Sequence, residues 1–229
     1  MLSLTEWLAS NPVFAPLKES DRERLAQIAI RKKFTEGEWI ALYGEAWPYL
    51  FLVTSGSIHA LKESSEGRSL IAATLEPGEL FWGLAFFEEN TPMPVSFQAQ
   101  HDSQICLWSR EQIRPWLWEN GRFSWELSRL MVRRMQQAST IVEEFAFQTV
   151  AGRLAGLLLS QYPNATEKPV ARNLTLDQMA AHIGTTREVV CRLLYRFSDE
   201  DLIHITRTEF VINNKLGLRR LGTPHDNSE

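Results

Sequence analysis

A chain of 229 residues has room for one large domain or two modest ones, and 44% apolar with 23% charged residues is the make-up of a soluble globular protein. No apolar run nears the ~18 residues of a membrane span, and the opening MLSLTEWLAS lacks the basic-then-apolar order of a secretory signal. Two cysteines, Cys106 and Cys191, are too few for a disulfide framework or a four-thiolate site, so a reducing, cytoplasmic setting without membrane attachment is expected.

The net charge of −4 is uneven: residues 151–229 carry ten Lys+Arg against nine Asp+Glu, leaving fourteen against nineteen before them. The first thirty or so residues are expected to be helical, with Leu17, Leu25 and Ile28 among the buried positions. From Phe34 to about Trp108 the pattern changes to short runs rich in β-branched and aromatic residues: WIALY, YLFLVTSG, SIHALK, SLIAATL and SQICLW. Gly37, Gly44, Gly56, Gly67 and Gly78 punctuate them, which predicts an antiparallel sandwich, roll or barrel. Within this region GELFWGLAFFEENTPMPVS, residues 78–96, has the glycines of a loop that could cradle an anion. Yet residues 69–109 contain no lysine or arginine, while Glu76, Glu79, Glu88, Glu89 and Asp102 all lie there.

Helix is predicted again after Arg110. Between Phe123 and Phe147 there is neither glycine nor proline, and Leu127, Met131, Met135, Ala138, Val142 and Phe145 recur at spacings of three and four. They form one apolar stripe on a helix of about seven turns. A stripe this long beside a domain with its own core predicts pairing with a second chain; packing against the β-domain alone is the other reading. Thr149 is placed to cap a further helix, VAGRLAGLLLSQY, that stops at Pro163, and NATEKPVARN reads as a loop.

The most specific stretch is LTLDQMAAHIGTTREVVCRLLYRF, residues 174–197. Thr175 with Gln178, and Thr185 with Glu188, each have capping-box spacing, and Gly184 sits just before the second start. Two helix starts about ten residues apart across a glycine describe a helix-turn-helix. On a wheel of about 100° per residue, Arg187, Cys191, Glu188 and Arg192 occupy one side, and Val189, Val190, Leu193, Leu194 and Phe197 the other. Arginine can pair bidentately with guanine and glutamate can accept from cytosine N4. LIHIT and EFVIN then predict a hairpin wing around Arg207 and Thr208. Arg172, Arg196, Arg207 and the Arg219–Arg220 pair are candidate phosphate contacts.

These features together resemble the cyclic-AMP receptor protein and fumarate–nitrate reduction regulator (Crp–Fnr) family of bacterial transcription factors. The resemblance rests on Gly44, Gly56, Gly67 and Gly78, on the long helix ending in EEFAFQTVAGRLAGLL, and above all on TTREVVCRLL. It implies an α+β fold: a cyclic-nucleotide-binding-like β-roll (jelly roll) over 1–121, a long dimerisation helix over 122–147 and a winged helix-turn-helix over 148–229. It also implies no enzymatic activity, but a homodimer on a palindrome of double-stranded DNA with TGTGA-like half-sites. Arg187, Glu188 and Arg192 would read bases, while Thr175, Thr185, Thr186, Arg172, Arg196 and Arg207 would hold the backbone. RNA polymerase would be contacted near Pro163 to Pro169.

The match fails at the effector. The family's ribose-binding glutamate falls at Gly83 and its phosphate-binding Arg–Ser pair at Met93–Pro94; its base-contacting threonine falls at Ala138, followed by Ser139. No cyclic-AMP response, no cofactor and no metal are therefore expected. Trp82, Leu84, Phe86, Phe87, Met93 and Phe97 would line an apolar effector pocket or simply fill it. Two other signals stay open: a haem on His59 or His101, and oxidation of Cys191.

Overall fold

The computed structural model describes residues 2–64, 68–165 and 168–222. Two compact units emerge, one spanning residues 1–62 and 72–137, the other residues 63–71 and 138–229.

The N-terminal unit opens with α1 (Leu4–Ser10), started by a capping box between Ser3 and Glu6, and α2 (Glu19–Ile28). The strands that follow are β1 (Ile30–Phe34), β2 (Trp39–Ala41), β3 (Tyr49–Ser55), β4 (Ile58–Glu63), β5 (Ser69–Leu75), β6 (Leu80–Trp82), β7 (Ser96–Ala99) and β8 (Ser103–Ser109). They form two four-stranded sheets, ordered β1-β8-β3-β6 and β2-β7-β4-β5. All five strand runs expected from sequence carry strands. IRKKF, at the boundary between the helix expected over the first thirty or so residues and the strands expected from Phe34, pairs as edge strand β1, Ile30 opposite Leu107 and Phe34 opposite Ser103. Tertiary pairing with β8 there overrides a run of charged residues with weak local preference.

The central strands β3 and β8 of the first sheet are buried on both faces, which is why their middles read as apolar runs. Phe51, Val53, Ile105 and Leu107 point into the roll with Ala60, Leu75 and Phe97. Leu50, Leu52, Cys106 and Trp108 point the other way, against Leu8, Phe14, Leu25 and Phe123. Trp108 is fully enclosed, its indole N–H donating to the Leu25 carbonyl at 2.8 Å.

Ser109 and Gln112 cap α3 (Arg110–Glu119), and α4 runs from Gly121 to Phe147. The apolar stripe expected on α4 is divided. Leu127 is only 2% exposed and Met131 packs beside it, both in the core of the N-terminal unit. Phe145 is half-buried and packs on the C-terminal unit, as described below. What stays exposed is a different line: Trp125, Ser128, Val132, Met135, Ser139, Val142 and Ala146. Its steps alternate three and four residues, the heptad a/d pattern of a two-helix seam. Ala138 is exposed beside it.

In the C-terminal unit Thr149 caps α5 (Val150–Gln161), its hydroxyl accepting from the Gly152 N–H at 3.1 Å. There follow β9 (Val170–Ala171), α6 (Leu176–Ile183), α7 (Arg187–Asp199), β10 (Ile203–Ile205), β11 (Glu209–Ile212) and α8 (Lys215–Gly222). β9 and α8 were not anticipated. The sheet order is β10-β11-β9, antiparallel throughout. The unit's core gathers Leu154, Leu158, Met179, Val190, Phe197 and Phe210. Among the described residues no helix is long and apolar enough to cross a membrane.

Candidate nucleic-acid interface

Two short helices joined by a sharp turn define the site. The capping box on α6 forms as its sequence requires: Thr175 N–H donates to Gln178 Oε1 at 2.8 Å, and Gln178 N–H donates to Thr175 Oγ1 at 3.1 Å. Gly184 ends α6 in the left-handed region, φ 62° and ψ 47°, and both its N–H and that of Thr185 bond the Ala180 carbonyl. Only glycine suits this position. A Cβ would lie 2.5 Å from the Phe145 ring, on top of the backbone penalty of a positive φ.

The second capping box, expected between Thr185 and Glu188, does not form. Closing α6 takes up the Thr185 N–H, so α7 starts one residue later, with Thr186 as its N-cap and no side-chain bond across the cap. Glu188 therefore stands in the first turn, where its own backbone N–H and the Thr186 hydroxyl hold its carboxyl below the usual carboxylate range, Arg187 adding to this. It is an acceptor only, at the positive end of the helix.

Val190, Leu193, Leu194 and Phe197 of α7 are buried, while Arg187, Glu188 and Arg192 are exposed, so the trio shares the outward face. Arg187 is aimed by Asp177 of α6, Nη1 to Oδ2 at 3.2 Å, with both side chains more than half exposed. An exposed pair of this kind is worth under about 1 kcal/mol, so it orients the guanidinium without committing it. Asp177 was not singled out from sequence; its place in the first turn of α6, ten residues before Arg187, was the available signal. Arg196 lies further round, paired with Glu200 at 3.7 Å and stacked on Phe197.

The wing turn between β10 and β11 is closed by Thr206, whose N–H donates to the Glu209 carbonyl at 2.9 Å while its hydroxyl accepts from the Glu209 N–H at 2.9 Å. Arg172 braces this turn: its N–H donates to the Thr208 carbonyl at 2.9 Å and its Nε to Leu174 O at 3.1 Å. Between wing and α7 runs a groove of about 360 Å³, lined by Arg172, Cys191, Tyr195, Ser198, Thr206 and Arg207. Cys191 is partly exposed in it. Tyr195, 69% exposed, was missed by sequence reasoning, although it follows Cys191 by one helical turn. Arg219 and Arg220 fall in the last turn of α8, which packs along α5.

In the roll, the expected effector residues are divided between the two cores of the N-terminal unit and its surface. Met93 and Trp82 are buried and Pro94 is exposed. Phe86 belongs to the helix-side core and Phe97 to the roll interior, while Leu84 and Phe87 lie at the surface, 40% and 44% exposed. Gly83 has an ordinary φ of −80°, but a Cβ there would lie 1.9 Å from the Trp47 carbonyl oxygen and 3.1 Å from Met93 Sδ. Trp47, Phe51, Phe81 and Phe97 fill the interior in ring contacts of 5.3–6.3 Å. Arg134 of α4 comes near but is engaged, bonding Glu79 at 3.1 Å and stacking on Phe81. Ala138 and Ser139 are exposed on α4. His59 is buried on β4, and His101 is exposed between β7 and β8. Among the described residues no three His, Cys, Asp or Glu side chains are grouped to hold a metal.

Comparison with known proteins matches residues 31–119 to the cyclic nucleotide-binding domain and residues 152–221 to the Crp-like helix-turn-helix domain. The chain belongs to the Crp–Fnr family. Among curated relatives of this Crp–Fnr protein, the cAMP-activated global transcriptional regulator Vfr of Pseudomonas aeruginosa is 26% identical over 189 residues, covering 80% of this chain and 88% of that one. The cAMP-activated global transcriptional regulator CRP of Salmonella typhimurium is 29% identical over 164 residues, covering 70% and 78%. A solved Crp/Fnr-family structure from Eubacterium rectale shares the fold, with a TM-score of 0.75 at 21% identity over 92% of this chain and 97% of that one. The Crp–Fnr chain is thus a DNA-binding transcription regulator, of a family of regulators rather than enzymes.

Proposed function

We propose that this regulator binds, as a homodimer and without cyclic AMP, a palindrome with TGTGA-like half-sites. The observation that carries the reading is the exposed face of α7, where Arg187, Glu188 and Arg192 stand together behind a helix-turn-helix capped by Thr175 and closed by Gly184. In this reading the two arginines bond guanine edges and Glu188 accepts from the opposing cytosine. Thr175, Thr185, Thr186, Arg172, Arg196 and Arg207 hold phosphates, which fixes register without reading sequence. The exposed heptad line of α4, from Trp125 to Ala146, supplies the two-fold seam that would set the half-site spacing. We further propose three domains, 1–121, 122–147 and 148–229, in a cytoplasmic protein that contacts RNA polymerase. The Pro163–Pro169 loop suggested for that contact lies partly outside the described residues.

Cyclic-AMP independence is supported by what occupies the nucleotide's place. No side chain fits at Gly83 without displacing the Trp47 carbonyl, and Met93 is buried where an arginine would be needed. Burying a phosphate with no counter-charge is strongly unfavourable. The test is fluorescence anisotropy of a labelled TGTGA palindrome with purified protein at fixed salt. Specific binding by the unliganded protein, unchanged within about twofold by cyclic AMP, is expected; tenfold tightening by cyclic AMP would overturn the effector half of the reading.

A further inference from the structure

One groove lies on the helix-covered face of the first sheet, apart from the interface and the roll interior. It encloses about 260 Å³ between α1 and the β1 edge, with Leu2, Leu4, Trp7 and Cys106 giving apolar walls and Arg31 and Lys33 standing in its lining. The pairing register explains the placement: Arg31 is opposite Cys106 and Lys33 opposite Gln104, so both project from the face that carries the Cys106 thiol, whereas Lys32, a third cation of the lining, is opposite Ile105 on the other face. Leu4 and Trp7, three apart on α1, close the opposite wall. Gln104 is tied down from the next strand, its carbonyl accepting from the Thr54 hydroxyl at 3.1 Å.

Two observations point to an anion. Among the described residues no acidic side chain lines the groove, and neither Arg31 nor Lys33 forms an ion pair with a described residue, although this half of the chain carries the net negative charge. An apolar floor under two unpaired cations is complementary to a molecule with a charged head and a short hydrocarbon tail. The volume is below the ~300–1,000 Å³ of drug-sized sites, which limits the tail to a medium length. We propose that this groove binds a medium-chain carboxylate, its head on Arg31 and Lys33 and its tail against Leu4, Trp7 and Cys106. All its residues belong to the N-terminal unit.

Isothermal titration of the full chain with octanoate tests it, with octan-1-ol and acetate as tail-only and charge-only probes. One saturable octanoate site per chain is expected, with each control weaker by roughly tenfold or more. The double variant Arg31→Gln/Lys33→Gln alters two exposed side chains; it should weaken octanoate about tenfold and leave octan-1-ol unaffected. Leu2→Trp, at a residue 52% exposed on the groove wall, should block both probes without lowering thermal stability. Octanoate binding that is unsaturable, or equal in the wild type and the double variant, would overturn the proposal; the cations would then only guard the sheet edge against pairing.

Discussion

Adding a single methyl group at Gly83 tests why the roll departs from a nucleotide site. Gly83→Ala asks nothing unusual of the backbone, since φ −80° and ψ 154° suit any residue. Its cost is therefore steric. The new Cβ would sit 1.9 Å from the Trp47 carbonyl oxygen and 3.0 Å from its carbon, and a backbone atom cannot rotate away as a side chain does. Relief requires the Trp47–Tyr49 segment to move, which strains the 3.0 Å bond from Gly83 N–H to the Tyr49 carbonyl and shifts Trp47 against Phe51 and Phe97. Overpacking of about 1–3 kcal/mol with a weakened hydrogen bond of about 1 kcal/mol gives roughly 2–4 kcal/mol. All eight tryptophans lie in the N-terminal unit, so indole fluorescence during heating reports that unit alone. Its transition should fall by roughly 10 °C, and Gly83→Glu should fall at least as far without gaining cyclic-AMP affinity. A transition lowered by less than about 2 °C would refute the reasoning, because the Trp47 segment would then be free to yield.

Gly184→Ala should destabilise the C-terminal unit by about 2–4 kcal/mol, from the positive φ and the Phe145 contact. Far-UV circular dichroism should register that loss while the tryptophan transition holds; a change under about 0.5 kcal/mol would contradict it. Met135→Glu with Val142→Glu would put charges into the proposed seam and should weaken dimerisation at least a hundredfold by sedimentation equilibrium. Leu127→Ala should instead cost about 2–5 kcal/mol of fold stability and leave association unchanged, and the reverse pattern would restore the stripe read from sequence. Burial holds the His182 imidazole below the ordinary histidine range. The unfolded chain thus takes up a proton near pH 6.5 that the folded unit resists, so His182 contributes stability that is complete above that pH and declines below it. His182→Gln should flatten the decline between pH 7.5 and 5.5 by at most about 1.4 kcal/mol per pH unit, read as melting temperature, and an unaltered slope would contradict the assignment.

What the sequence discloses follows from how local each signal is. The caps at Thr149 and Thr175 and the left-handed Gly184 are satisfied by neighbours in the chain, and all three form. The Thr185 box has the same spacing and fails, because the N–H of that residue is consumed in ending the previous helix. The α4 stripe was legible in part because apolar periodicity marks burial without naming the partner: Leu127 goes to the chain's own core, while Met135 and Val142 stay on an exposed line that also includes Ser128 and Ser139, which periodicity overlooks. Strand β1 was hidden because edge pairing organises its charges from outside the segment. The α7 trio was legible since a helix wheel fixes which residues share a face. The Asp177 contact to Arg187 and the place of Tyr195 in the wing groove depend on elements meeting in space.

Base readout by α7 is the claim on which the rest depends, and a base-substitution scan measures it most directly. Anisotropy titrations of the wild type and Arg187→Ala would be run at one salt concentration, against the palindrome with each half-site pair replaced symmetrically in turn. Arg187→Ala should lose about 1–3 kcal/mol on the intact site and become indifferent to the identity of one base pair per half-site, the others still discriminated. Uniform weakening across every sequence, with a shallower salt dependence and no pair relaxed, would mean that Arg187 touches only phosphate, and the readout assignment would be wrong.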